Sequence, residues 1–234
     1  MAPYKQSFFK ALEEWLNLDS RRRPEVVAAL REELKDVEDE YKQCSVRCYR
    51  RIDFPKDPGD NPRGISTPLL DLLHTGELEE SVSSWTTAPS VAMNHMEGVQ
   101  KGDTCVIFAY QPKPEQVWLN LNAILQSPRL ATRTTAIQSW MTQEREVILE
   151  VPYLTPDDVY AWGGFVGSIE QLRLEADILG RPAEFIENLE SYLQARGIRP
   201  GQEYWLSEER SRATAYRMQT FARGRYLHPP PKPD

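Results

Sequence analysis

Apolar residues at Val27, Leu30, Leu34, Val37, Tyr41 and Cys44 recur at three- and four-residue steps, the spacing of one helix face. Pro24 suits a first helical position, so the pattern predicts a helix over residues 24–44. A shorter helix is expected over about residues 4–18, joined to it through Arg21-Arg22-Arg23, a basic run best read as a solvated connection. After Cys44 the period changes. "SVRCYRRI" reads as a short strand and "DFPKDPGDNPRG" as a breaker-rich loop. Thr67-Pro68 opens a helix, "PLLDLLHT", stopped by Gly76. The continuous apolar centre from Cys105 to Tyr110 predicts a buried strand. Residues 128–142 have no clean period and read as a long loop.

That loop leads into "EREVILEV", predicted as a strand over residues 144–151. Alternation would put Glu144, Glu146, Ile148 and Glu150 on one face and Arg145, Val147, Leu149 and Val151 on the other. Beyond residue 155 the chain turns helical. Ser168 and Gln171 form a capping box for "SIEQLRLEADILG". Pro182 starts a helix with Phe185, Leu189, Tyr192 and Leu193 on one face, and a third runs from Ser207 to about Arg223. The expected organisation is α+β: an N-terminal helical segment (1–44), a strand-rich core (45–160), a helical C-terminal addition (161–226) and a disordered proline-rich tail (227–234).

Composition adjusts this picture only slightly. The 234 residues carry 28 Lys and Arg against 35 Asp and Glu, a net charge of −7, which argues against a general nucleic-acid binder. Cys44, Cys48 and Cys105 are an odd count without a CxxC pair, so a disulfide framework is not expected and a reducing, cytoplasmic compartment is. His74, His95 and His228 are scattered, giving a Cys/His metal site no support. No apolar run is long enough to span a bilayer, and the first residues lack a signal-peptide pattern.

Three stretches carry candidate chemistry. Alone, the Glu144–Glu146 pair fits a half-buried strand with a wet acidic face; the alternative is a paired-carboxylate site, one acid stabilising a developing cation and the other handling a proton. Upstream, "CYRRI" places Arg50 after an aromatic residue on a strand, and "SSWTTAPSVA" embeds Trp85 in a hydroxyl-rich segment. Singly these read as a surface arginine and a packing tryptophan.

In order, the three stretches resemble the motifs of mono-ADP-ribosyltransferases of the arginine–serine–glutamate class, the class of cholera-like and clostridial toxins and phage-encoded transferases. "YRR" (Tyr49, Arg50, Arg51) resembles the aromatic-Arg-Gly motif, with Arg51 where glycine is usual. "SWT" (Ser84, Trp85, Thr86) resembles the Ser-Thr-Ser motif, and "EREVIL" (Glu144, Arg145, Glu146) the Glu-x-Glu motif. The likeness covers about residues 45–160.

The resemblance implies a two-sheet transferase core and NAD as co-substrate, with no metal. It implies that Glu146 is the catalytic acid, holding the nicotinamide-ribose hydroxyl and stabilising an oxocarbenium-like ribose, and that Glu144 orients and deprotonates an arginine acceptor. Arg50 and Tyr49 would bind the dinucleotide, Ser84 would hold Glu146, and Thr86 would support the strand around it. Residues 133–143 would meet the substrate, with Trp140 as the large apolar contact or as an anchor for the loop. The partner implied is a target protein bearing an arginine; an antitoxin or immunity protein is a further one. Two rivals stay open: the same enzyme acting on nucleic acid or another non-arginine acceptor, and a non-catalytic binding protein that keeps the fold. Arg210, Arg212, Arg217, Arg223, Arg225 and Lys232 give the C-terminal segment a mildly basic character, more often a solvated face than an anion site.

Overall fold

The computed structural model describes residues 4–17, 23–54, 66–94, 104–127, 144–165, 183–195, 197, 199, 201 and 203–227. Among them the protein is mixed α and β, with seven strands in the hydrogen-bonded order β4 (Val117–Asn120), β5 (Glu146–Glu150), β2 (Val82–Thr86), β1 (Cys48–Phe54), β3 (Thr104–Tyr110), β6 (Val159–Phe165) and β7 (Glu203–Trp205). The order is open, ending on β4 and β7. The chain divides into two compact units, each made of separate stretches: Met1–Arg50, Glu77–Asn94 and Ala109–Leu154 in the first, Arg51–Gly76, His95–Phe108 and Thr155–Asp234 in the second.

In the first unit, α1 (Gln6–Leu16) buries Phe8, Ala11, Leu12 and Trp15, a stripe at three- and four-residue steps. α2 (Pro24–Glu33) starts at Pro24 as expected but ends earlier than the sequence period. Two 3₁₀ turns, Leu34–Asp36 and Asp39–Tyr41, replace the rest of the predicted 24–44 helix. Asp36, Val37 and Asp39 are all poor helix formers. Three-residue turns still return side chains to one face, so Leu30, Leu34, Val37 and Tyr41 are buried as the spacing predicted. These helices and turns form one apolar cluster with Trp118 and Leu119 of β4, Leu121 and Ile124 of α5 (Leu121–Gln126), and Ile148 of β5 (Glu146–Glu150). β5 pairs antiparallel with β2 (Val82–Thr86), which pairs through Thr86 with Tyr49 of β1 (Cys48–Phe54). α4 (Pro89–Asn94) follows β2 directly.

In the second unit, α3 (Thr67–Thr75) stops where expected: Gly76 takes φ +77°, and its amide bonds Leu72. β3 (Thr104–Tyr110) pairs antiparallel with β6 (Val159–Phe165), and β6 with β7. β6 and β7 place strands inside the span 161–226, which the sequence reading took as helical, alongside the expected helices α6 (Ala183–Ala195) and α7 (Glu208–Leu227). α7 meets β6 through small buried residues, Ser211 and Ala215, and the Ser211 hydroxyl accepts from the Trp162 amide at 2.8 Å. The β6–β7 approach requires glycine at 163, because a Cβ there would lie 2.1 Å from the Tyr204 carbonyl oxygen. The predicted loop 128–142, the 168–180 helix and residues 228–234 of the predicted tail lie outside the described residues.

Candidate active site

β2 and β5 run antiparallel in the register Ser84↔Ile148 and Thr86↔Glu146, a pairing that brings the hydroxyl-rich and glutamate stretches side by side. Glu146 is the first residue of β5 and is 6% exposed. A carboxylate this buried needs hydrogen-bond donors. The Ser84 hydroxyl donates to its Oε1, and the Trp15 indole N–H approaches the same oxygen at 3.4 Å. Three stretches distant in sequence thus meet on one carboxylate.

Glu144 lies elsewhere than the alternation predicted. β5 begins at Glu146, and Arg145 adopts φ +48°, the one positive φ at a non-glycine among the described residues. Glu144 and Glu146 therefore flank a tight turn and do not share a strand face. The turn has its own supports. The Thr86 hydroxyl donates to the Glu144 carbonyl at 2.6 Å and accepts from the Ala88 amide at 3.1 Å, and the Thr87 amide donates to the Arg145 carbonyl at 3.1 Å. Left-handed backbone at a non-glycine residue costs about 1–2 kcal/mol, and these bonds hold it in place.

A cavity of about 620 Å³ is lined by Trp15 and Ser84, the two donors to the Glu146 carboxylate, and by Arg31, Arg50, Glu80 and Glu150 among others. The Arg50 guanidinium donates to the Glu80 carboxylate at 3.0 Å and to its main-chain oxygen at 3.4 Å. Their side chains are 17% and 25% exposed, so the pair is held and still reachable from the cavity. Glu150, the third acid of the predicted face, is committed to packing. It accepts from Arg31 at 3.2 Å and from the Trp118 indole at 2.9 Å, while Arg31 lies over that indole at 4.6 Å. Lys35 pairs with Glu32, a further acid on the cavity wall, at 2.5 Å. Cations and acids are thus interleaved around the cavity.

Arg51, where the resembling motif has glycine, does not occupy positive φ. Its side chain is 1% exposed and belongs to the second unit. It donates to Asp53 at 2.7 Å, to Glu203 at 2.5 and 3.3 Å, and to the Cys105 sulfur at 3.1 Å, and its guanidinium lies 5.2 Å from the Trp205 ring centroid. Burial alone would lower its pKa; the bonds to Glu203 and Asp53 outweigh burial and raise it.

Tyr49, Arg50, Ser84, Thr86, Glu144 and Glu146 all fall in the first unit, and Trp140 lies outside the described residues. Trp15 and Glu80 were not legible as site residues. Trp15 sits in the apolar stripe of α1 and reads as core; Glu80 is one of several acids in "ELEE". Only the fold reveals that each meets a candidate catalytic group. The described residues contain no cluster of three or more His, Cys, Asp or Glu able to hold a metal ion, and no helix among them is long and apolar enough to cross a membrane. Comparison with protein-family models, with curated proteins and with solved structures gives no match.

Proposed function

We propose that the protein is a cytoplasmic mono-ADP-ribosyltransferase that moves ADP-ribose from NAD to an arginine of a target protein and releases nicotinamide. The observation that carries the reading is the hydrogen bond from Ser84 to the buried Glu146 carboxylate, on paired strands, with Ser84 and Arg50 lining one cavity. A fixed carboxylate shielded from water suits stabilisation of an oxocarbenium-like ribose as the bond to nicotinamide breaks. Ser84 and Trp15 hold that carboxylate still, so little reorganisation accompanies the developing charge.

Arg50 is assigned to the diphosphate, where a planar guanidinium offers paired N–H donors. Glu80 then acts as its orienting partner, shared with or exchanged for phosphate oxygens as NAD enters. The acids on the cavity wall suit the cationic nicotinamide ring. Glu144, displaced from the strand by the Arg145 turn, is set apart from Glu146 as an acceptor-side base for a guanidinium nucleophile should be. Tyr49, paired with Thr86 next to Glu146, is assigned to the dinucleotide as well. The two-sheet core expected from the resemblance is not resolved into two sheets: among the described residues the seven strands form one open hydrogen-bonded series.

The test is incubation with isotopically labelled NAD and a cell lysate, followed by release of nicotinamide and mass spectrometry of labelled residues. Labelled arginines, lost in Glu146→Gln, support the reading. No nicotinamide release and no label under conditions where the chain is folded would overturn it. Label on nucleic acid would keep the enzyme and replace the acceptor.

A further inference from the structure

Cys44 and Cys48 frame a short loop at the head of β1, and their sulfur atoms lie 3.5 Å apart. Both thiols approach the Val46 carbonyl, at 3.5 and 3.6 Å, so the loop closes as a clasp around the pair. Cys48 is fully buried, whereas Cys44 is half-buried and lines a second cavity, of about 1040 Å³, with Gln43, Thr87 and Arg145. One sulfur is reachable and the other sits directly behind it.

We propose that Cys44 and Cys48 are a reversible oxidation site, in which a hydroperoxide entering this cavity oxidises Cys44 and Cys48 resolves the product to an intramolecular disulfide. In the first step the Cys44 thiolate forms an S–O bond as the O–O bond breaks. Sulfur gives up two electrons to the peroxide, and with one proton the departing oxygen leaves as water, or as an alcohol from an organic peroxide. In the second, the Cys48 sulfur attacks the sulfenic sulfur, the S–O bond breaks, and the Cys48 proton leaves with hydroxide as a second water. Closing from 3.5 Å to a disulfide length of about 2.05 Å needs a movement of about 1.5 Å, which a loop of three residues can supply.

The electrostatics agree with this division. The Cys48 thiol, hydrogen-bonded to Cys44, holds Cys44 below the ordinary thiol range, at about 6, against the opposing effect of burial. At neutral pH the accessible sulfur is therefore the nucleophilic thiolate. The same contact pushes Cys48 up, with burial adding to it. The share of that push owed to Cys44 lapses once Cys44 carries a neutral hydroxyl, which releases Cys48 for the second step. Cys105, fully buried against Arg51, is an internal control.

The experiment uses the full chain, treated with hydrogen peroxide, blocked with iodoacetamide and digested with trypsin. Cleavage after Lys42, Arg47 and Arg50 separates the two cysteines, so a disulfide appears as peptides 43–47 and 48–50 joined with the loss of two hydrogens. Dithiothreitol, itself oxidised, should part them. In Cys48→Ala, Cys44 should instead gain one oxygen, trapped by dimedone; in Cys44→Ala, Cys48 should stay reduced. Absence of the joined peptides, a disulfide to Cys105 or between chains, or equal oxidation of Cys48 without Cys44 would each overturn the proposal. The wild-type peptide map, read beside a non-reducing gel that shows the oxidised chain still running as a monomer, decides even if a variant fails to fold, and none of its outcomes depends on the transferase reading.

Discussion

Replacing Thr86 by valine removes one hydroxyl from the turn between the two glutamates and little else, since the side chains are nearly isosteric. That hydroxyl is 8% exposed at the residue level, donates to the Glu144 carbonyl at 2.6 Å and accepts from the Ala88 amide at 3.1 Å. A buried group stripped of its partner costs about 1–3 kcal/mol. With two bonds lost and the Glu144 carbonyl in part reachable by water, about 2–3 kcal/mol is expected in all. For a chain of this size that lowers Tm by about 4–12 °C. The functional effect should be uneven. Thr86 braces the turn in which Arg145 holds φ +48°, so Glu144 loses its placement, whereas Glu146 keeps Ser84 and Trp15. A misplacement of about 1 Å can cost about 10²-fold in rate, and labelling of an arginine acceptor should fall on that scale while nicotinamide release without an acceptor stays near wild type. Differential scanning fluorimetry and the two NAD assays on one purified variant decide it. Unchanged Tm refutes the bracing argument. Equal loss of both activities refutes the separation of roles between Glu144 and Glu146.

Other outcomes follow from the same geometry. Glu146→Gln should lower nicotinamide release by about 10²- to 10³-fold; near-wild-type turnover would remove Glu146 from the chemistry. Arg51→Gly, which installs the residue usual in the resembling motif, should destabilise the protein by about 3–5 kcal/mol in urea unfolding, because it strands Glu203 and Asp53 beside a buried vacancy. A gain in stability would mean that the backbone there is strained after all. Alkylation of Cys44 by iodoacetamide should rise as pH increases through about 6, below the ordinary thiol midpoint of about 8.5, and Cys48→Ala should move the rise upward. Since the folded pKa lies below the unfolded one, the stability that this thiolate contributes is present above the ordinary thiol value and is lost as pH falls through about 6. A rise in alkylation centred near 8.5 would refute the Cys48 contact.

What could be read from the chain and what could not divide along a physical line. Spacing reports which side chains must leave water, so Leu30, Leu34, Val37 and Tyr41 were legible as core although the backbone carrying them leaves the α-helix after Glu33. A helix and a pair of 3₁₀ turns present the same apolar rhythm, and only local propensity at Asp36, Val37 and Asp39 argues between them. The Gly76 stop was legible because its αL residue is chemically distinctive. The Arg145 turn was not, because an arginine at positive φ carries no local mark; the Thr86 and Thr87 bonds that hold it come from a stretch far upstream. The strands β6 and β7 fall in the same class. β6 is interrupted by Gly163 and Gly164, which weaken any strand pattern, and Gly163 is explained only by the Tyr204 and Trp205 backbone and ring set against it. The candidate site follows the same rule. Ser84 and Glu146 could be suspected only from the order of the three stretches, and their hydrogen bond depends on the antiparallel register of β2 on β5, as the approach of Trp15 depends on the packing of α1. A motif in one dimension can nominate the residues of a carboxylate site; the donors that hold such a carboxylate in place are properties of pairing and packing.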